Sequence, residues 1–202
     1  MKSFFLFLLG FFSMANASKS SYQIENIAFP DDMPPEIGGL AIDKKGNLYA
    51  CLRRGDVLVT KPNKDAASTK WKVFATGLHN PMGMELIGPG HLVVTQMAEF
   101  TEIIDTDQDG VADRYNNLAN NFGISGNYHE TNAICSDGEG GFYIALGTAS
   151  HNGPTFFTPR GEYSREGRRG RNFSSNDLRG WVVHYHKDGM LTPFASGFRM
   201  HN

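Results

Sequence analysis

Along the chain, apolar residues come in short runs separated by polar clusters rich in Gly, Asp and Asn. The stretch from Asn127 to Gly147 shows the unit most clearly. A polar loop leads to a run at Ala133 to Ser136, a turn at Asp137-Gly138-Glu139-Gly140-Gly141, and a second run at Phe142 to Leu146. Runs this short, bounded by turn residues and rich in β-branched and aromatic side chains, predict β-strands. The turn glycines tolerate the positive φ that tight strand–strand turns require.

The unit occurs twice more upstream. Gly39 to Ala50 reads G-L-A-I-D-K-K-G-N-L-Y-A, and Gly83 to Val94 reads G-M-E-L-I-G-P-G-H-L-V-V. Aligned on Gly46, Gly90 and Gly140, the copies lie about 44 and then about 50 residues apart, a period characteristic of repeats built from four-stranded blades. Blade one is predicted as strands Gly39 to Asp43, Asn47 to Leu52, Asp56 to Thr60 and Trp71 to Ala75, with Lys61 to Lys70 a polar connection. Phe74 to Asn80 leads into blade two, and a near-copy, Phe194 to Asn202, closes the sequence. Gly180 to Tyr185 likewise repeats the third strand, Gly55 to Thr60. The expectation is an all-β β-propeller domain over residues 38–202, with about three blades present. A lead-in segment occupies 18–37. Because the repeat stops at the threshold of a fourth blade, the sequence reads as an N-terminal piece of a longer propeller.

Composition changes this picture little. Of 202 residues 40% are hydrophobic and 20% charged, which fits a globular domain, and the 23 glycines suit many tight turns. The net charge of −2 gives no pointer to nucleic acid or an anionic membrane. Lys2, the apolar run Phe4 to Phe12 and the small residues Ala15-Asn16-Ala17 form a signal-peptide pattern over 1–17, too short for an ordinary transmembrane helix. Export to the periplasm or the cell exterior is expected. The two cysteines, Cys51 and Cys135, read either as an exported disulfide or as two buried thiols, with Cys51 placed just past the second strand of its blade.

Three stretches carry candidate chemistry. Asp105-Thr106-Asp107-Gln108-Asp109-Gly110-Val111-Ala112-Asp113 places Asp at positions one, three, five and nine and Gly at six of a calcium loop. Asp105, Asp107, Asp109 and Asp113 would offer carboxylates and Val111 its carbonyl. Position twelve is Asn116 rather than Glu, and the loop lies between strands, so an EF-hand is not expected. A structural Ca²⁺ or a solvated acidic turn both fit. The insert at 151–179 carries Arg160, Arg165, Arg168, Arg169, Arg171 and Arg179 among aromatics. It reads as a solvated loop over one face or as a surface for anionic or sugar ligands. Finally, loops that precede successive inner strands of a propeller open on one face. His129, Glu130, His79, Asn80, Arg199 and His201 all stand in such loops. A His of near-neutral pKa suits general-base removal of a hydroxyl proton, and an Arg suits an anionic cofactor or oxyanion.

The pieces G-L-A-I-D-x-x-G-N-L-Y-A, F-A-T-G-L-H-N-P-M-G, D-T-D-Q-D-G-V-A-D-R-Y, S-G-N-Y-H-E and G-W-V-V-H-Y resemble the soluble glucose/sorbosone dehydrogenase propeller superfamily. Within it, the sequence is most similar to large secreted bacterial propeller proteins described as membrane-bound dehydrogenases. The resemblance implies a six-bladed propeller that uses pyrroloquinoline quinone (PQQ) to oxidise a sugar or related alcohol or aldehyde. It implies His129 as the general base, Arg199, Asn80 and Glu130 near the cofactor, and a cytochrome c acceptor, either separate or fused downstream. Met200 stands where the family pattern has Asn after the Arg. The alternative reading is a non-catalytic, calcium-stabilised propeller module that binds a glycan or a partner protein.

Overall fold

A computed structural model describes residues 22, 24–97, 99–122, 131–148 and 178–198. The stretch 1–17, predicted as a signal peptide, lies outside them, as does nearly all of the insert. The described residues form three four-stranded antiparallel sheets. Blade one is β1 (Ile37–Ile42), β2 (Leu48–Leu52), β3 (Val57–Thr60) and β4 (Lys72–Ala75). Blade two is β5 (Gly83–Gly88), β6 (His91–Gln96), β7 (Glu99–Ile104) and β8 (Arg114–Ala119). Blade three is β9 (Thr131–Ser136), β10 (Phe142–Leu146), β11 (Trp181–Tyr185) and β12 (Leu191–Ser196). Each blade is a meander in sequence order. The first strands lie beside one another, β1 against β5 and β5 against β9. This is a β-propeller, as the repeat predicts. The helical content of the described residues is one 3₁₀ turn, Ala66–Ser68, capped by the Asp65 carboxylate.

Blade two shows why the strands carry the residues they do. A sheet inside a propeller is covered on both faces, so its strands lose the apolar–polar alternation of a half-exposed sheet. In β6 the neighbours Leu92, Val93 and Val94 are all fully buried. Leu92 and Val94 join a core with Tyr49, Cys51, Val57 and Phe74 of blade one. Val93 points the other way, into a core with Phe142, Ile144, Leu146 and Val183 of blade three. Phe100 is the centre of that second core. Its ring meets Phe142 at 5.5 Å and 66° and Tyr185 at 5.1 Å and 73°, edge-to-face geometries that add to simple burial. The outer ends of the array are more open: Leu40 is 56%, Ile42 69% and Phe194 63% exposed.

The lead-in segment runs along blade one. The Trp71 indole N–H donates to the Ala28 carbonyl at 2.8 Å, Phe29 leans on the Trp71 ring, and Arg53 N–H donates to the Glu36 carbonyl at 2.9 Å. In blade three the Asp137 carboxylate organises the predicted turn. It accepts the Glu139 and Gly141 amides, each at 2.8 Å, and the His184 Nε2 at 2.8 Å. His184 in turn stacks on Tyr143 at 4.5 Å.

Three expectations need correction. Cys51 lies inside β2, opposite Gly39 and Val57, as the strand predicted over Asn47 to Leu52 has it and not one position past the strand as the repeat alignment put it. Cys135 is exposed on β9, so the two cysteines are free thiols of opposite burial. Arg179, counted among the arginines of a solvated loop, is 1% exposed and sits in the turn that starts β11.

Three outcomes follow from these contacts. Phe100→Ala removes the shared ring of the second core and is expected to destabilise the protein by about 3–5 kcal/mol, read by chemical denaturation. Burial pushes the Cys51 thiol up to about 12, so a thiol reagent at pH 8 should label Cys135 alone until the protein is unfolded. The Glu139 amide, the His184 ring and the Gly141 amide together hold the Asp137 carboxyl at about 2, below its ordinary 3.8. A depressed carboxylate stabilises the fold above its unfolded value and loses that contribution as pH falls through its folded one. Asp137→Ala should therefore flatten the fall of unfolding free energy between pH 3.8 and about 2.

Candidate functional site

An antiparallel meander sends its turns alternately to two ends, and this sorts the candidate residues onto two opposite faces. One face, here the upper, carries the β2–β3 turns and the loops that join one blade to the next. The lower carries the β1–β2 and β3–β4 connections and their equivalents in blades two and three.

On the upper face the loop from Ala75 to Gly83 brings His79 and Asn80 to the start of β5. It is pressed against blade one at two glycines. A Cβ on Gly38 would stand 2.1 Å from the Pro81 carbonyl oxygen, and one on Gly55, at φ +114°, would stand 2.3 Å from that of Leu78. No other residue allows so close a backbone approach. Asn80 takes a left-handed φ of 50°, which Asn tolerates better than most residues. Its side-chain oxygen accepts from Arg53 Nε at 2.9 Å. Arg53 is half-buried and heads the turn between β2 and β3.

Beneath His79 runs a chain of side-chain hydrogen bonds. The His79 amide donates to the Gln96 side-chain oxygen, Gln96 Nε2 donates to Thr101 Oγ1 at 2.7 Å, and Thr101 Oγ1 donates to Glu99 Oε1 at 2.6 Å. The Met97 amide returns to the His79 carbonyl at 2.8 Å. Gln96 and Thr101 are buried, so the loop rests on a satisfied polar network rather than on solvent.

His129 and Glu130, which immediately precede β9 in sequence, lie outside the described residues, as do Arg199 and His201. Of the predicted upper-face residues the structure therefore places His79 and Asn80. Sequence reasoning missed Arg53 and Gln96. The signal for Arg53 was present in Arg53-Arg54-Gly55-Asp56, a turn that the strand order sends to the same face as Asn80.

The acidic loop is on the lower face, between β7 and β8. One carboxylate oxygen each from Asp105, Asp107 and Asp109 lie within 4.8 Å of one another. Asp105 is 8% exposed; its Oδ2 accepts the Gly110 amide at 2.9 Å, and its Oδ1 is buried with no hydrogen-bond partner. Asp107 and Asp109 are exposed and accept the Asp109 and Val111 amides, respectively. Asp113 is turned to Thr106, whose amide and hydroxyl both donate to it; these bonds hold its carboxyl below the ordinary range. Asn116, at position twelve, donates to Glu102 Oε2 at 2.7 Å, and His91 Nε2 meets Glu102 Oε1 at 2.7 Å. Burial raises the Glu102 pKa, but these bonds outweigh it and leave the carboxyl below its ordinary value. The structure thus gathers three of the predicted carboxylates and directs Asp113 and Asn116 elsewhere. A cavity of about 330 Å³ adjoins the loop, lined among others by Tyr49, Lys70, Lys72, Asp105 and Gly110. Among the described residues no helix is long and apolar enough to cross a membrane.

Comparison with known proteins agrees with this architecture. The PQQ domain of pyranose dehydrogenase from Coprinopsis cinerea superposes with a TM-score of 0.54 at 13% identity, over 76% of this chain and 34% of that one. A Thermus thermophilus oxidoreductase described as a glucose dehydrogenase gives 0.50 at 15%, over 76% and 44%. A luciferin-regenerating enzyme gives 0.53 at 13%, over 82% and 47%. At these identities the likeness is one of fold, and the chain spans between about a third and a half of each structure's length. No curated protein matches the sequence. The model of one family, described as "Domain of unknown function (DUF7133)", matches residues 39–193, and the chain belongs to that family.

Proposed function

We propose that the upper face is the working face of a PQQ-dependent oxidoreductase acting on a sugar or a related alcohol or aldehyde. The observation that carries the reading is the anchored loop at the start of β5, where Arg53 is hydrogen-bonded to Asn80 beside the inner strands. PQQ is an anionic quinone with several carboxylates, so its holder needs guanidinium and amide donors. Arg53 and Asn80 have that chemistry, and Arg199 adds a second guanidinium; Glu130 is assigned near the cofactor by its place beside His129 and not as a holder of its carboxylates. The dehydrogenase-type folds among the structural neighbours support the same assignment.

When bound, PQQ supplies the acceptor for the hydride that leaves the substrate carbon. His129 is assigned the substrate's hydroxyl proton, which leaves a carbonyl product. A cytochrome c-type protein would serve as the acceptor of the two electrons. The site works outside the cytoplasm, delivered there by the signal segment 1–17. Further blades close the ring, a reading supported by the partial coverage of the neighbours and by the exposed Leu40, Ile42 and Phe194 at the two ends.

On the lower face we assign a structural Ca²⁺ to Asp105, Asp107 and Asp109. A carboxylate oxygen buried without a partner is costly, and a cation at the cluster would satisfy it. Because the ion sits on the face opposite Asn80, it serves stability and not the reaction. This site also favours the second reading of the chain, a non-catalytic calcium-stabilised module for a glycan or a partner protein.

PQQ titration into the intact protein with calcium present, followed by calorimetry, tests the enzyme reading. Saturable binding is expected, and His129→Ala should lower kcat/KM for an aldose by about 10²–10⁴-fold with an artificial acceptor while leaving cofactor affinity nearly unchanged. Absence of binding at about 100 μM PQQ would leave the binding-module reading.

A further inference from the structure

The acidic loop does more than close a turn: it reaches across to the neighbouring blade. The Ala112 amide donates to the Phe74 carbonyl on β4 at 2.7 Å. The Ala112 methyl is buried in the core that blade one shares with blade two. Three residues further on, the Tyr115 hydroxyl accepts the Thr76 amide at 3.3 Å. The two hydrogen bonds tie the loop and the start of β8 to the outermost strand of blade one and to the residue that follows it, and the methyl anchors the loop in the shared core. They hang from the turn that Asp105, Asp107 and Asp109 build.

The same residues set the strength of the site. Oxygens within 4.8 Å of one another can share one ion at Ca–O distances of about 2.3–2.6 Å. Ca²⁺ takes six to eight oxygens, and three carboxylates leave the rest to backbone and water. Asp113 and Asn116 are engaged by Thr106 and Glu102, and Lys70 and Lys72 line the adjoining cavity. Few protein charges and nearby cations both weaken binding. The expected range is that of extracellular modules, about 10⁻⁴–10⁻³ M.

We propose that the Asp105–Gly110 turn is a weak calcium site whose occupancy clamps blade two onto the outermost strand of blade one. The proposal rests on the calcium assignment above and adds a consequence to it. An ion that neutralises Asp105 and fixes the turn also fixes Ala112 and Tyr115, and with them β4. Metal occupancy is then read at a strand that contributes no ligand.

The test uses the full chain, freed of metal by chelation. Calorimetric titration with Ca²⁺ should give saturation in the range above. Hydrogen exchange read by mass spectrometry, with about 5 mM Ca²⁺ against chelator, should slow in residues 105–115 and also in residues 72–76. The thermal midpoint should rise by about 2–4 °C. Asp107→Asn, at an exposed ligand, should weaken binding by about tenfold or more and abolish the calcium effect on 72–76. Tyr115→Phe keeps every ligand; it should bind Ca²⁺ as before with less protection at Thr76. Binding that slows exchange within 105–113 alone would overturn the clamp and leave the calcium assignment standing. Absence of binding at about 10 mM Ca²⁺ would overturn the assignment itself, and the clamp with it.

Discussion

Everything in this structure depends on burying both faces of a four-stranded sheet. One such sheet cannot do this alone, and its neighbours must supply the cover. Blade two shows the solved case. Leu92 and Val94 face blade one while Val93 and Phe100 face blade three, so the two cores meet only through its backbone. The close backbone approaches at Gly38 and Gly55 set how tightly blades one and two can lie together. Asn80 and its loop inherit their position from that spacing. The geometry of the upper face is therefore a by-product of blade packing, and its precision is that of the cores beneath it.

The fold was legible in the sequence because the blade is a local object. Its strands are joined by short turns, and the turn residues mark their own positions: Asp43-Lys44-Lys45-Gly46, Asp137 to Gly141, and Gly90 at a φ of 63°. Strand ends moved by one or two residues, where hydrogen bonding rather than composition decides. Burial was less legible. Cys135 and Cys51 both stand in apolar surroundings in the sequence, yet one faces the second blade's core and the other an open sheet face. That distinction belongs to the phase of the strand, which a single bulge resets; β9 and β10 shift register between Ile144 and Leu146. The candidate site was legible in part. The Asp spacing marked three carboxylates that do meet, but nothing in the spacing told that Thr106 would claim Asp113. Arg53 was missed because its partner, Asn80, is distant in sequence and close only once the glycines let the two loops touch.

The two faces divide the work by chemistry. The upper face gathers amides, a guanidinium and a polar network that is fully engaged, which suits positioning of a polar ligand. The lower face gathers carboxylates and turn hydrogen bonds, from Asp43 with the Lys45 and Asn47 amides to Asp137 with His184. Those hydrogen bonds hold Asp43 and Asp137 below the ordinary carboxylate range, so the lower-face turns keep their charge until the pH falls well below that of a free carboxylate.

The Ala112–Phe74 contact has one more consequence. Among the described residues β4 pairs with β3 on one side, and its other edge is the kind of backbone row that can recruit a strand from another molecule. Val73, 40% exposed on that strand, would make such recruitment adhesive. The loop from blade two occupies the Phe74 carbonyl, and Lys72 adds a charge beside it. A segment that looks like a metal-binding ornament thereby also serves as edge cover, taking up a backbone acceptor that a foreign strand would need.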